Sequence, residues 1–186
     1  MPEPTPAEIA PPAPDEYTPF YAGYVARALQ LPAPRLGHTA AALAAWAARV
    51  SDPAFRYAPG KWSIGEVVGH MAETERVFAY RLLRFARGDA QPLPGFDENA
   101  FVAAAGFDAV PLEDLVAWFA AERAATQALV ATVPAEAWTR RGEASGRGMT
   151  ARAALYVLAG HAAHHLDVLA ARYGAARDGA ARDGAQ

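Results

Sequence analysis

Three of the five histidines in this sequence lie close together near the carboxyl end of the chain. His161 and His165 are one helical turn apart, so an α-helix would place both imidazoles on one face. This is the spacing by which a helix presents two nitrogen ligands to one metal ion. His164 could pair with His161 instead, so the face of the helix must decide between them. The two remaining histidines are His38 and His70.

The apolar face of that helix favours one of the two pairs. With Leu155 set at zero, the large apolar side chains fill an arc from about 200° to about 20°. His161 at about 240° and His165 at about 280° lie inside this arc, whereas His164 at about 180° lies on its edge. Buried imidazoles need polar partners, and a shared metal ion supplies one to each.

His70 is predicted at the border of the core, about 95° from the centre of the apolar arc of its own helix. That position suits a metal ligand at a site that opens to solvent on one side. Three neutral imidazoles with open coordination positions are typical of a catalytic metal site, and Zn or Ni would suit them. The alternative is that the histidines are hydrogen-bonded residues without a metal, which is our interpretation of the lone His38.

Other charged residues also fall on predicted helix faces. Glu122 and Arg123 lie within the apolar arc of the third long helix, so they are either a buried pair or groups that face a pocket. A row of arginines on the second long helix is interpreted mostly as a solvated face. Its members are Arg76, Arg81, Arg84 and Arg87.

Helices must carry these residues. The sequence Ser63-Ile-Gly-Glu66 is a capping box and predicts the start of the second long helix. Pro111 suits the first position of the third, and Gly174 the end of the fourth. The pattern predicts an all-α four-helix bundle with long first and last connections, the last being a loop over residues 133–150. The long helices are predicted over residues 36–50, 63–87, 111–132 and 150–173, with short helices over 16–30 and 97–105.

The chain is predicted to form one domain with an N-terminal extension. Residues 1–15 are predicted to be a flexible Pro-rich lead, residues 16–173 the domain, and residues 174–186 a disordered tail. The lead lacks the basic start and apolar run of a secretory signal, and no segment has the length of a membrane span. We therefore expect a cytoplasmic protein with no membrane partner.

Composition excludes several classes of protein. Alanine supplies nearly half of the 53% hydrophobic residues, which favours helices over strands. The formal net charge is -3 and no dense run of Lys and Arg occurs, so nucleic acid is not an expected partner. The chain contains no cysteine, which excludes disulfides, a cysteine zinc site and an intrinsic thiol nucleophile. Any thiol in the reaction would have to be a separate molecule.

Together these motifs resemble the DinB-like family, which is named for DNA-damage-inducible members. A Trp-Ser-x-x-Glu-Val-x-x-His element ends at His70, and a His-x-x-x-His element begins far downstream at His161. The two elements in this order are fairly specific, whereas either one alone is weak. The resemblance extends from about Tyr17 to Tyr173 and rests on residues 57–70, on 84–89 with 94–99, and on 160–166.

The resemblance implies an up-down-down-up four-helix bundle, often a homodimer, with a divalent metal ion held by three histidines. Matched position by position, these ligands are His70, His161 and His165. Related enzymes use the metal to activate a low-molecular-weight thiol, such as bacillithiol, mycothiol or glutathione, for S-transfer or isomerisation. Family members often have an acidic or larger polar residue where this chain has Ala162, so a possible proton acceptor is missing here.

Two functions from different classes follow. In the first, the metal lowers the pKa of a bound thiol or water, and the protein is a thiol S-transferase or hydrolase acting on a small molecule. Arg81 would then meet an anionic cosubstrate, and Asp97 or Glu98 would reach the pocket. In the second, the protein is a non-catalytic metal-binding or stress-response bundle. A bundle whose histidines bind no metal is the third interpretation.

Overall fold

The computed structural model describes residues 9–31 and 35–176, which form helices connected by turns and one small hairpin. None of the helices in these two ranges combines the length and the apolar character that a membrane span requires. The helices are α1 (Ala22–Gln30), α2 (Arg35–Ala47), α3 (Ile64–Ala86), α4 (Glu98–Ala105), α5 (Leu112–Ala131) and α6 (Ala151–Arg172).

Three of the helices, α3, α4 and α6, begin at side chains that satisfy their first backbone N–H groups. The predicted capping box is present at α3, where Ser63 Oγ accepts from the Glu66 N–H at 3.0 Å and the Glu66 carboxylate accepts from the Ser63 N–H at 2.8 Å. Asp97 caps α4 and Thr150 caps α6 in the same way. The predicted helix over 16–30 begins only at Ala22, because the prolines before it start two 3-10 turns, Pro14–Glu16 and Pro19–Tyr21.

The predicted four-helix bundle consists of α2, α3, α5 and α6. Both α2 and α3 pack against α5 and against α6, so α5 and α6 each lie between α2 and α3. The short helix α1 lies along α6 and approaches it closely at Gly160, where an added Cβ would be only 1.8 Å from the carbonyl oxygen of Tyr24. Glycine at this position therefore allows two backbones to touch, immediately before His161 in the chain.

The connection between α5 and α6 contains a β-hairpin that the sequence analysis missed. Strands β1 (Arg141–Ala144) and β2 (Arg147–Thr150) pair antiparallel, and the turn between them has positive φ at Ser145 (55°) and Gly146 (69°). The hairpin packs on α3. Glycine at position 142 allows this contact, because a Cβ there would lie only 1.8 Å from the ring of Phe85. The prediction of a loop over 133–150 was wrong for this part, since glycines inside short strands were interpreted as loop residues.

Packed residues extend beyond both ends of the predicted domain. Ile9 is buried in the core, and its carbonyl oxygen accepts a hydrogen bond from the Tyr156 hydroxyl at 2.9 Å. Residues Gly174–Ala176 form a 3-10 turn, and Ser51 Oγ donates to the carbonyl oxygen of Ala176 at 3.0 Å. The predicted limits 16–173 thus leave two packed residues, Ile9 and Ala176, outside the domain. The rest of the predicted lead and tail, residues 1–8 and 177–186, lies outside the described residues.

Two ion pairs connect α3 to α5. Arg123 and Glu75 form a pair at 2.8 Å with side chains only 1% and 2% exposed. Arg76 and Glu122 form a second pair at the surface, where the arginine is 68% exposed. The predicted pairing of Glu122 with Arg123 was therefore wrong, because neighbouring residues of a helix point about 100° apart and each meets its own partner on α3.

Candidate metal centre

Three imidazoles meet where α3 and α6 pack together. His70 comes from α3, and His161 and His165 come from consecutive turns of α6. The Nε2 atom of His161 lies 3.1 Å from Nε2 of His70 and 3.1 Å from Nε2 of His165. All three potential ligand atoms are within 4.8 Å of one another. The structure thus brings together the three residues that the sequence analysis selected as metal ligands.

The other two histidines are placed differently. His38 is exposed on α2, as the interpretation of a lone polar residue expects. His164 is half-buried and packs edge-on against the rings of Tyr24 and His165, with centroids 5.7 Å and 5.1 Å away. The apolar arc of the helix predicted His165, not His164, as the partner of His161. The geometry agrees with this prediction.

Burial makes the three clustered imidazoles neutral. It lowers the pKa of His70 to about 4. It also lowers the pKa of His161 and that of His165 well below the ordinary value, and the neighbouring histidines add to the effect. A neutral imidazole carries a free lone pair at neutral pH, which is the form that binds a metal ion.

The nitrogen positions fit a metal ion better than they fit hydrogen bonds. A neutral imidazole nitrogen offers one proton or one lone pair, so Nε2 of His161 cannot satisfy both neighbours at 3.1 Å. A cation would accept all three lone pairs. Nitrogen ligands about 2.0–2.1 Å from a tetrahedral zinc are about 3.3 Å apart, close to the separations here. The donor set therefore suits a late first-row divalent ion.

The surroundings hold the imidazoles mostly by packing. The ring of Trp62 lies against His70 with centroids 4.8 Å apart, and Tyr24 lies against His161 at 5.6 Å. Thr74 Oγ1 is 3.5 Å from both ring nitrogens of His70, too far for a good hydrogen bond. Nδ1 of His165 is buried and has no hydrogen-bond partner among the described residues. Ring packing, more than hydrogen bonding, therefore orients these ligands.

The histidine cluster opens into a cavity of about 300 Å³. Aromatic rings form much of its wall, from α1 and the turn before it, from α3 and from the connection that precedes α4. Among the predicted pocket residues, Arg81 and Glu98 line the cavity. Asp97 does not line it, because its carboxylate caps α4 by accepting from the N–H groups of Asn99 and Ala100. Arg81 is only 3% exposed, so it does not belong to the predicted solvated face.

Several residues of the cavity wall were not predicted as site residues. Ser145 and Arg147 reach it from the hairpin, and Tyr21 and Tyr24 reach it from the N-terminal segment. The aromatic spacing of residues 17–24 predicted packing, but nothing in a single sequence shows which surface those rings cover. The hairpin residues had no detectable signal, because their contacts with α3 depend on the tertiary fold.

A second cleft of about 280 Å³ reaches one of the three candidate ligands, His165. It shares Trp62, His164 and His165 with the first cavity and contains Lys61 and Tyr173. Trp62 and His165 therefore line both openings. Ala162, where the family resemblance leads one to expect a polar group, is 1% exposed and packs in the core away from both openings.

A helical bundle with three histidines converging on a cavity defines a class of metal-binding protein, and comparison with known proteins identifies the family. The sequence pattern of the DinB superfamily matches residues 35–169. This chain belongs to that superfamily. A search among curated proteins gives no match.

The fold also matches a solved structure. YfiT from Bacillus subtilis, described as a probable metal-dependent hydrolase with an unusual four-helix bundle topology, superposes with a TM-score of 0.68. The two sequences are 18% identical, and the match covers 91% of this chain and 97% of YfiT. The similarity confirms the four-helix-bundle fold.

Proposed function

We propose that this protein is a metal-dependent enzyme in which His70, His161 and His165 hold a divalent metal ion, Zn or Ni. The observation that carries the proposal is the convergence of three Nε2 atoms, from two buried histidines and one half-buried one, beside a cavity. A structural zinc site is closed by four protein ligands, whereas a catalytic site keeps a position open. Among the described residues the cluster has three ligands, which is the catalytic pattern.

When bound, such an ion would lower the pKa of a water or thiol in the position that the three imidazoles leave open. The chain itself supplies the neutral ligands and the aromatic walls that limit access of bulk water. It contains no cysteine, so a reacting thiol would be a second small molecule. The two clefts, which share Trp62 and His165 in their walls, would let two reactants approach the same cluster.

Hydrolysis and thiol transfer remain the two forms of this proposal. The description of YfiT as a probable metal-dependent hydrolase supports activation of water. The family resemblance and the double approach to the histidines support activation of a low-molecular-weight thiol. We further propose that the protein acts in the cytoplasm on a small molecule, as a homodimer.

Metal content tests the proposal most directly. Untagged protein is purified without chelator, and bound metals are measured by mass spectrometry in wild type, His165→Ala and His38→Ala. We expect about one Zn or Ni per chain in wild type and in the His38→Ala control, and at least tenfold less in His165→Ala. Circular dichroism of each variant checks that the helices are retained. Wild-type protein that stays metal-free even after incubation with both ions would refute the proposal.

The two chemistries separate in one further assay. The metal-loaded protein is incubated with an activated ester and with an electrophilic aryl halide, each with and without glutathione. Hydrolysis of the ester that does not require glutathione supports activation of water. Loss of the halide only when glutathione is present supports activation of a thiol. No turnover under any of these conditions would favour the non-catalytic interpretation of the metal site.

A further inference from the structure

Arg81 is a buried cation without a carboxylate partner among the described residues. Its side chain is 3% exposed, yet the ion pairs formed by those residues do not include it. Its hydrogen bond is to a neutral group, the Ser145 hydroxyl, at 2.9 Å. Arginine remains protonated in proteins, and buried charges are normally paired. The other fully buried arginine, Arg123, follows this rule with Glu75.

The surroundings of Arg81 stabilise a cation but do not neutralise it. The guanidinium carbon lies 4.8 Å from the ring centroid of Phe78 and 5.9 Å from that of Phe96. Such cation–π contacts offset part of the desolvation. Among the described residues, Arg81 has a side-chain hydrogen bond to Ser145 and no carboxylate beside it, and it lines the cavity. A buried, unneutralised guanidinium beside an open cavity is the arrangement expected of an anion-binding group.

A second guanidinium reaches the same wall from the hairpin. Arg147 lies over the ring of Phe20, 4.0 Å from its centroid, and lines the same cavity. It also forms no ion pair within the described part of the chain. Ser145 connects the two arginines, because its hydroxyl accepts from Arg81 and its carbonyl oxygen accepts from Arg147 at 3.3 Å. The hairpin turn thus holds both cations at one place.

The charge of the cavity leaves room for one negative group. Glu98 is the acidic side chain among the described residues that line it, and this residue forms no ion pair with either arginine. Arg81 lies eleven residues after His70 on the same face of α3, about 16 Å further along the helix axis. Arginine side chains lean towards the start of their helix, so the guanidinium lies nearer the histidines than its Cα atom does.

We propose that Arg81 and Arg147 bind the carboxylate of a small substrate whose apolar or aromatic part lies against the rings of the cavity, between the arginines and the histidines. A carboxylate is favoured over a phosphate because a singly charged group loses less hydration on entering an apolar site. The volume of about 300 Å³ suits a small molecule. Anion binding itself needs no metal, whereas its use for substrate recognition rests on the proposed function.

The experiment measures binding of 3-phenylpropionate by isothermal titration calorimetry, with the protein as purified and again after chelation. We expect binding in both states, and at least tenfold weaker binding to Arg81→Met and to Arg147→Gln. The exposed arginine of the neighbouring strand supplies the control, Arg141→Gln, which should bind as wild type does. The uncharged analogue 3-phenylpropionamide should bind wild type at least tenfold more weakly than the acid does.

Four results would overturn the proposal. Equal affinity of wild type and both arginine variants would show that the cations do not bind the acid. Binding that disappears on chelation would place the carboxylate on the metal instead, and tighter binding of inorganic phosphate would identify the wrong anion. Metal content is measured on the same samples. Metal-loaded protein that does not bind the acid would therefore refute this inference and leave the proposed function intact.

Thermal unfolding distinguishes recognition from a structural role of Arg81. Replacing an unneutralised buried cation by an apolar side chain of similar length removes a desolvated charge from the folded protein. We therefore expect the ligand-free Arg81→Met variant to unfold at the same temperature as wild type or at a higher one, while its binding falls. A clear decrease in the unfolding temperature would show that Arg81 supports the fold and would count against the proposal.

Discussion

The buried pair between α3 and α5 allows a sharp prediction about stability. In Arg123→Met the Glu75 carboxylate, 2% exposed, loses its cationic partner. The carbonyl oxygen of Leu36 and the hydroxyl of Thr39 also lose donors, at 3.1 Å and 3.0 Å. Breaking a buried pair by removing one partner costs about 3–5 kcal/mol. We expect the free energy of unfolding at pH 7 to fall by this amount, measured by urea denaturation with tryptophan fluorescence.

The pH dependence of that loss has a definite sign. Burial raises the pKa of Glu75, and Arg123 opposes this effect. Without the arginine the pKa rises further, so the folded variant binds a proton that the unfolded chain releases. The loss of stability relative to wild type should therefore shrink as the pH falls from 7 towards the ordinary carboxyl value of 4.5, by at most about 1.4 kcal/mol per pH unit. The buried histidines titrate in both proteins, so their effect cancels in this difference.

The exposed pair between the same two helices supplies the matched control. Arg76→Met removes a cation that is 68% exposed, and surface pairs of this kind contribute only about 0–1 kcal/mol. The double variant Glu75→Leu with Arg123→Met should regain most of the lost stability, since no charge is left unpaired. A loss below about 1 kcal/mol in Arg123→Met, or a loss relative to wild type that does not shrink on acidification, would refute this account.

Two further predictions concern backbone contacts. In Gly160→Ala the new Cβ would be 1.8 Å from the carbonyl oxygen of Tyr24, so α1 must move away from α6 and the unfolding free energy should fall by about 1–3 kcal/mol. The control is Gly148→Ala, because no atom lies within 4 Å of the Cβ added there. Equal urea midpoints for the two variants would contradict the prediction. Ser63→Ala removes the oxygen that accepts from the Glu66 N–H and should lower the unfolding free energy by about 1 kcal/mol in the same assay, so an unchanged midpoint would show that the cap adds no stability.

Local patterns made the helices and the histidine cluster predictable. A capping box at Ser63, and long stretches without β-branched runs, determine helices through contacts between near neighbours. His161 and His165 occupy one helix, so their relative position follows from its period alone. The position of His70 was harder to predict, because His70 lies on a different helix. It comes close to the other two histidines only because the apolar faces of the two helices pack against each other.

Contacts between distant parts of the chain could not be predicted in this way. Arg123 pairs with Glu75, which lies 48 positions earlier in the chain. No sequence rule selects Glu75 as its partner over Glu122, the residue next to Arg123 in α5. The hairpin was missed because its glycines serve a turn and a close approach to Phe85, which only the packed structure shows. Ser145 and Arg147 of this hairpin line the cavity, so Arg81 was the one arginine of its wall that the sequence linked to an anion.

The hairpin has a consequence for how such proteins diverge. The histidines belong to two helices of the bundle, whereas Ser145 and Arg147 belong to a surface connection between helices. Surface connections accept substitutions and insertions more readily than packed helices do. Evolution can therefore replace the part of the cavity wall that the hairpin supplies while the histidine cluster is inherited unchanged. Proteins with the same three histidines can in this way come to accept different substrates.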